Sequence, residues 1–418
     1  LAKRFAPGGE LAAFDGLEFD VLRYQLGGTQ GPRGIDSDAD GKADAGIVGG
    51  INEYGIGVVE FCRRLRAAMG PDKIIQADGM GLGNQRAFGI LNGIESEGFP
   101  QLRDQEMKDW SGGLNRHFFW DRNAYPPVFN YINHKFNEPD PKTKLPVVPD
   151  LPFSRHRLVM AAAVLTDAAL CYSVPPKAEP GERIGIWDEL RMGKEHKTGW
   201  LGKALGPAVH VAERQRNLLD SAILKRINGP DVRVAAEGKG VKISAAKQDA
   251  SELRFRLTGV PVSGPDLFVK LIAHAQPMRN YPREVARMMK VNLASSPDTN
   301  FMTWVNAKDF TSGFYFSNLN ASTVDLEFVI EGSDPVWIEG ISAYAQPDAM
   351  YREFENGIVL ANPAPHAYTF DLARIVPGKK FRRLQASPAQ DTAVNNGAPV
   401  SGPVALQAKD ALFLIREK

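Results

Sequence analysis

The spacing of hydrophobic and polar positions changes character near residue 217. Before that point, short apolar runs alternate with longer stretches of helical period. Leu17, Phe19 and Val21 alternate within Asp15–Leu22, which predicts a strand opened by the turn pair Asp15-Gly16 and delivering the acid Asp20 at its end. Ile56, Val59, Phe61, Leu65 and Met69 recur at helical spacing over Asn52–Met69. Arg63, Arg64 and Arg66 lie toward its C-terminal end, where the helix dipole favours cations, and Gly70-Pro71 stops it. Lys73–Asp78 reads as a second strand ending in an acid, Asn92–Pro100 as a third, Pro127–Asn133 as a fourth and Ala169–Val174 as a fifth. Leu1–Phe14 reads as the end of a helix, and further helices are expected at Gln85–Leu91 and at Ser154–Asp167, the last with Ser154 as N-cap. Asp109–Tyr125, with Trp110, His117, Phe118, Phe119, Trp120 and Tyr125, reads equally as a core lid or as a surface for stacking sugars.

Strand and helix in alternation, with acids at strand C-termini, predict a parallel (β/α)8-type barrel over residues 1–216. Only five of its eight strands are countable. The other three would precede Leu1 or lie on a second chain. After residue 217 the period becomes that of strands: Val232–Ala235, Val241–Ala245, Leu253–Leu257, Leu267–Ile272, Met302–Val305, Gly313–Ser317, Val324–Ile330 and Val336–Ala343, with turn residues between. A jelly-roll β-sandwich is expected over 217–349 and a small antiparallel β domain over 350–418, closing with Asp410–Ile415.

The 418 residues are too many for one core. A charged fraction of 24% and a net charge of +1 leave no basic or acidic excess of the kind that binds nucleic acid or anionic membranes. The 40 Gly and 29 Pro agree with the many turns that β structure needs. The longest apolar run, Leu158–Cys171, is broken by Thr166 and Asp167 and is too short to span a bilayer. Cys62 and Cys171 sit in apolar contexts and are expected as buried free thiols. The first residue is Leu1 and no signal segment is visible, as expected of a processed or trimmed chain.

A glycine-rich stretch leads into Asp36-Ser-Asp38-Ala-Asp40-Gly41-Lys42-Ala-Asp44. Oxygen donors at alternate positions with Gly at the sixth are the chemistry of a calcium loop. Asp36, Asp38, Asp40 and Asp44 would supply carboxylates and Lys42 its carbonyl. Ile47 stands where an EF-hand has its final Glu, and the form resembles the loops of dockerins and thrombospondin repeats. Gly79–Asn84 misses the dinucleotide pattern by its last glycine and is read as a plain turn. His134 is expected to be structural, and Trp304 and Trp337 are expected in the core.

DGLEFD (15–20), NGIESEGF (92–99), LTDAALCYS (165–173), GWLGKALGP (199–207) and REFENGIVLANP (352–363) together resemble bacterial glycoside hydrolases distantly related to the α-galactosidase superfamily. The resemblance covers the barrel part and the C-terminal strands. It implies a nucleophilic Asp at the end of the fourth barrel strand and an acid/base at the end of the sixth. Counting the fifth visible strand as the eighth, Asp20 takes the first role and Glu97 the second, where the family more often has Asp. Asp78 and Glu95 become substrate-hydroxyl ligands or alternates, and Arg23, Trp120, Asn133 and Trp187 further substrate contacts. Two carboxylates flanking a glycosidic bond stand about 5–5.5 Å apart in a retaining enzyme and about 6.5–9.5 Å in an inverting one. The competing possibility for Asp20 and Glu97 is an ion pair with Arg23, Arg86 or a rim lysine. The expected function is hydrolysis of a poly- or oligosaccharide outside the cytoplasm: secreted, periplasmic or at the cell surface. The rival is a carbohydrate-binding or surface protein on a degenerate barrel.

Overall fold

The computed structural model describes residues 1–26, 34–81, 83–220, 222–247, 251–400 and 402–417, the side chains of 297–300 excepted. The glycine-rich stretch 27–33, which leads into the acidic loop, lies outside the described residues, as does Leu82 of the 79–84 turn.

The five expected strands are present: β1 Gly16–Phe19, β2 Ile74–Asp78, β3 Gly93–Glu97, β4 Tyr131–His134 and β5 Ala169–Tyr172. They pair in parallel and in sequence order. Register places Glu18, Gln76 and Gly93 side by side, then Asp78, Glu95 and Tyr131, then Glu97, Asn133 and Cys171. Partnered positions share a face, so one face of the sheet is polar. The other carries Ile75, Ala77, Ile94 and Ile132, all fully buried. The polar face is concave. Tyr131 Oη on β4 donates to Glu18 Oε1 on β1 at 2.7 Å, although in a flat sheet strands three apart stand about 14 Å from each other. The curvature is that of a barrel wall, but no closed eight-stranded barrel forms among the described residues. β1 and β5 each have one edge without a strand partner among the described residues.

Three helices cover the apolar face: α1 Glu53–Met69, α2 Trp110–Asn123 and α3 Phe153–Leu165. α1 is amphipathic as expected, capped by Asn52, whose side chain accepts from Gly55 N. Its buried stripe runs Val58, Val59, Cys62, Leu65, Arg66, so Phe61 lies outside it and is 44% exposed. Arg66 turns inward, donating to the Ile90 carbonyl at 3.0 Å and stacking on Tyr125 at 4.5 Å.

α2 and α3 are buried on two sides, because each carries a second β layer. The chain leaves the C-terminal sheet at Val209–His210, builds the sandwich, and returns at Met350–Glu353, which pairs with Val209–His210. The sandwich is thus inserted within the C-terminal domain. Its two sheets have five antiparallel strands each. The sheet containing Arg287–Leu293 and Ser296–Val305 points Met289, Val291, Phe301 and Val305 into the sandwich core. Met302 and Trp304 instead point into the core around α2. The C-terminal sheet covers α3 with Val359, Ala361, Ala411 and Phe413. Arg157 of α3, nearly fully buried, locks this layer through Asp410 at 2.9 Å and Asp391 at 2.7 Å.

Several expectations are corrected. Leu1–Phe14 is helical only over Ala2–Phe5. Gln85–Leu91 is not a helix. The Gln85 side chain accepts from Ala87 N, and Gly89 takes a φ of +72° that a helix does not allow. The segment 109–125 is mostly one helix, whose Gly113 lets α2 approach Phe99 and Pro100: a Cβ there would lie 2.8 Å from Pro100. Ser154 is not the cap of α3, which starts one residue earlier behind Pro152. Arg287–Leu293 is a strand without a sequence-based counterpart. Cys171 is exposed, because it points to the polar face. No helix among the described residues is long and apolar enough to cross a membrane.

Candidate functional site

The C-terminal ends of β1, β2 and β3 open on a cleft of about 400 Å3. Asp20, Arg23, Asp78, Glu95 and Glu97 line it together, with Asn84, Gln101, Asp109 and Arg116 deeper or at its side. Lys290 and Met302 close it from the sandwich. Loops at the carboxyl ends of parallel strands are where α/β sheets present their chemistry. Here the opposite wall comes from a different sheet.

Each acid arrives by a different route. β1 ends at Phe19, and Asp20 stands exposed just beyond it. The next residue, Val21, has φ +56°, a left-handed conformation that costs a β-branched residue on the order of 1–3 kcal/mol. That turn aims Val21 N at Asp78, whose Oδ2 accepts at 2.9 Å. The strain beside Asp20 is therefore held by a bond to a second acid. Asp78 and Glu95 are partners in the β2/β3 register and reach each other by a hydrogen bond that Asp78 donates when protonated.

Burial pushes the Asp78 carboxyl up to about 6; the charges of Glu95 and Asp20 push the same way, and the Val21 N–H opposes them. Glu95 is raised too, first by burial and then by Glu18, against the hydrogen bond it accepts from Asn133 Nδ2 at 3.2 Å. Asp78 and Glu95 thus share a proton up to about pH 6, while Asp20 makes no hydrogen bond or ion pair among the described residues. Glu97 differs. It is exposed, and Lys135 Nζ sits 2.5 Å from its Oε1, the rim-lysine pairing weighed against its role as acid. Arg86 is no partner of the cleft acids: it stacks between Tyr24 and Trp304 at 4.3 and 4.7 Å and pairs with Glu331 of the sandwich at 2.5 Å.

Of the expected substrate contacts, Arg23, Asp78 and Glu95 line the cleft. Asn133 lies on the polar face, bonded to Glu95 and to Ser173 Oγ, outside the cleft wall. Trp120 and Trp187 are core residues. Trp120 is fully buried against Phe88, with ring centroids 4.2 Å apart, and Trp187 stacks on His156 at 4.5 Å. Neither ring has a face left for a sugar. His134 is buried beside His156, as expected of a structural residue. Sequence reasoning missed Lys290, Met302 and Lys135. The alternation Met288, Lys290, Asn292 against Met289, Val291 carried the signal for the first.

In the acidic loop, carboxylate oxygens of Asp36, Asp38 and Asp40 lie within 4.8 Å of one another. Asp44 is not part of this cluster. Its oxygens accept from Ser37 Oγ at 2.6 Å, Ser37 N at 2.8 Å and Gly46 N at 2.5 Å, which holds the loop's base together.

No family model matches the chain, and no curated protein matches it. The likeness to the α-galactosidase superfamily therefore rests on the quoted motifs alone. Among solved structures, the chain is similar to the carbohydrate-binding module TmCBM61 in complex with β-1,4-galactotriose. The identity is 13% over 32% of this chain and 100% of that one, with a TM-score of 0.24. It is also similar to the C-terminal module CBM6 of LamC, a marine laminarinase from Zobellia galactanivorans, at 12% identity over 33% of this chain and 97% of that one, TM-score 0.21. A third is the agarase AgWH50C, at 10% identity over 32% of this chain, TM-score 0.23; the chain covers 26% of the agarase. At these TM-scores nothing about activity passes from them to this chain.

Proposed function

We propose that the cleft binds a poly- or oligosaccharide and hydrolyses a glycosidic bond with two carboxyl groups. The observation that carries this reading is the convergence of Asp20, Asp78, Glu95 and Glu97 from three adjacent strand ends into one cleft. Glycoside hydrolysis needs one carboxylate at the anomeric carbon and one carboxylic acid at the leaving oxygen. Asp20, unpaired at the mouth, suits the first role. Asp78, whose carboxyl is raised to about 6 by burial and its neighbours, suits the second; Glu97 is exposed and engaged by Lys135. In the proposed step Asp78 gives its proton to the glycosidic oxygen as that bond breaks, and Asp20 attacks or stabilises the oxocarbenium-like centre. Glu95, ionised, accepts the hydrogen bond that Asp78 donates, and its charge holds the proton on Asp78 until the leaving oxygen takes it.

A second reading, glycan binding without turnover, is favoured by the Glu97–Lys135 pair and by the direct contact of Asp78 with Glu95. The two are separated by incubating the protein with a panel of polysaccharides and analysing products. Release of oligosaccharides that stops in Asp20→Asn supports hydrolysis; retention on a glycan with no product in the unaltered protein rejects it. A secreted, periplasmic or cell-surface location fits a polymeric substrate. We also propose calcium at the acidic loop, with Asp36, Asp38, Asp40 and the Lys42 carbonyl as ligands and Asp44 as scaffold. A rise in Tm with added calcium, absent in Asp38→Asn, checks it. Further strands, from another segment or a second chain, would extend the curve of the sheet.

A further inference from the structure

The cleft contains two cations that its own acids do not neutralise. Lys290 lies on the sandwich strand Arg287–Leu293, in register with Met302 on one side and Val329 on the other, so its backbone is fixed on both flanks. Its side chain is half-buried and faces the cleft. Arg23 is exposed on the opposite wall, three residues after Asp20. Neither makes an ion pair among the described residues, although five carboxylates line the same cleft. Other cations around it do pair: Arg86 with Glu331, Arg116 with Asp109 at 2.7 Å, and Lys135 with Glu97. A half-buried ammonium is costly unless it gains a partner, and its strand holds it where a ligand would enter.

Resting on the proposed glycan cleft, we infer that Arg23 and Lys290 form an anion subsite, one from each wall, for a charged substituent on a sugar next to the bond cleaved. The substrate class is then an acidic glycan whose carboxylate or sulfate lies between the two cations, while the acids act on an uncharged part of the chain. Guanidinium and ammonium groups both bind such oxyanions, Arg by a fork and Lys as a point charge. The sandwich is in this reading a wall that sets specificity, not a separate module. The alternative task for the two cations is to offset the field of the cleft's acids, and that would act on every substrate alike.

The test uses Asp20→Asn protein, so that binding is read without turnover. Affinity is measured by calorimetry for an oligouronide against its carboxyl-reduced form, and for a sulfated galactan oligosaccharide against its desulfated form. One charged member is expected to bind about tenfold tighter than its neutral partner, the preference weakening with salt. The pair that shows the preference identifies carboxylate or sulfate. Adding Arg23→Gln and Lys290→Gln should bring that ratio to about one with an unchanged melting curve, since neither side chain has an ion-pair partner to lose among the described residues. Equal binding of charged and neutral forms, or a ratio that survives the double change, overturns the inference while leaving the glycan cleft standing. Absence of binding to any glycan, with no hydrolysis by the unaltered protein, overturns both.

Discussion

Two polar faces of this molecule carry charge, and they are built differently. On the outer face of the sandwich, Trp337 stands between Lys242 and His274, its cross-strand partners. Lys242 Nζ lies 5.1 Å from the ring centroid, and the His274 ring stacks at 4.9 Å. The indole N–H donates to Glu237 at 2.9 Å, Lys242 reaches Glu237 at 3.7 Å, and His274 meets Asp309 at 2.8 Å. Each of these groups has a partner inside the same sheet. In the cleft, by contrast, Asp20, Arg23 and Lys290 have no ion-pair partner among the described residues, and Asp78 is held away from its ordinary ionisation. Charge density does not separate the two faces; incomplete pairing does, because leaving a group unsatisfied costs free energy that a ligand can return.

The largest test of that contrast is in the acids. Asp78→Asn removes the proposed proton donor and should lower turnover by about 10²–10⁴-fold. Asp20→Asn should lower it at least as far, with the fold intact by circular dichroism. Because Asp78 titrates near 6, the rate of the unaltered protein should fall as pH rises above about 6, and that limb should vanish in Asp78→Asn. A rate indifferent to both changes would remove the contrast, since the cleft would then be as inert as the Trp337 face.

The next effect is structural. Arg86 ties the sandwich wall to the parallel layer by its pair with Glu331 and its stacking on Tyr24 and Trp304. Arg86→Ala leaves Glu331 without its partner and should cost about 3 kcal/mol, read as a drop in denaturation midpoint. If the sandwich is a true wall of the cleft, KM should rise with it; an unchanged KM would make the sandwich a bystander.

A smaller effect follows from linkage. The native state binds the Asp78 proton more tightly than the unfolded chain does, so ionising Asp78 works against folding. Its contribution is neutral below the unfolded value near 4 and becomes destabilising as pH rises through about 6. Asp78→Asn should therefore gain stability at pH 7–8 relative to the unaltered protein and flatten the slope between pH 4 and 6, measured by urea titration. The acid side has a different origin. Burial holds His117 and His134 down to about 3, so the native state disfavours their protons and stability should decline as pH falls below about 6.5 in both proteins.

Much of this architecture was legible because period 2 and period 3.6 leave different marks. The five parallel strands, the sandwich and the C-terminal sheet followed from the period, and Asp20, Asp78, Glu95 and Glu97 from acids standing where apolar runs end. α2 was not legible as a helix, because two-sided burial erases the amphipathic stripe: Trp110, Leu114, Phe119 and Trp120 bury one side, and Ser111, Asn115 and His117 are buried as well. The same double burial makes Trp120, expected as a substrate contact, a core residue, and Trp187 is buried against His156 of α3. Lys290 was missed for a long-range reason. Nothing near it in sequence shows that its strand packs against a cleft some 200 residues earlier. Glu97 was visible as an acid, but Lys135, which claims it, follows a different strand.

The smallest predicted effect is the most direct check on the comparison. An exposed tryptophan on a sandwich is the obvious place to look for a glycan, and Trp337 is half-buried on such a face. Yet sugars stack on the flat face of an aromatic ring, and here both flanks of the indole are taken by Lys242 and His274, leaving only an edge. Trp337→Ala should cost about 1 kcal/mol, the worth of one cation–π contact and a surface hydrogen bond, and should leave glycan affinity untouched. Affinity electrophoresis in glycan-containing gels reads this directly. A loss of retardation in Trp337→Ala, with the cleft unaltered, would mean that Lys242 and His274 swing aside for a ligand, and that complete pairing in a static structure does not mark an inert face.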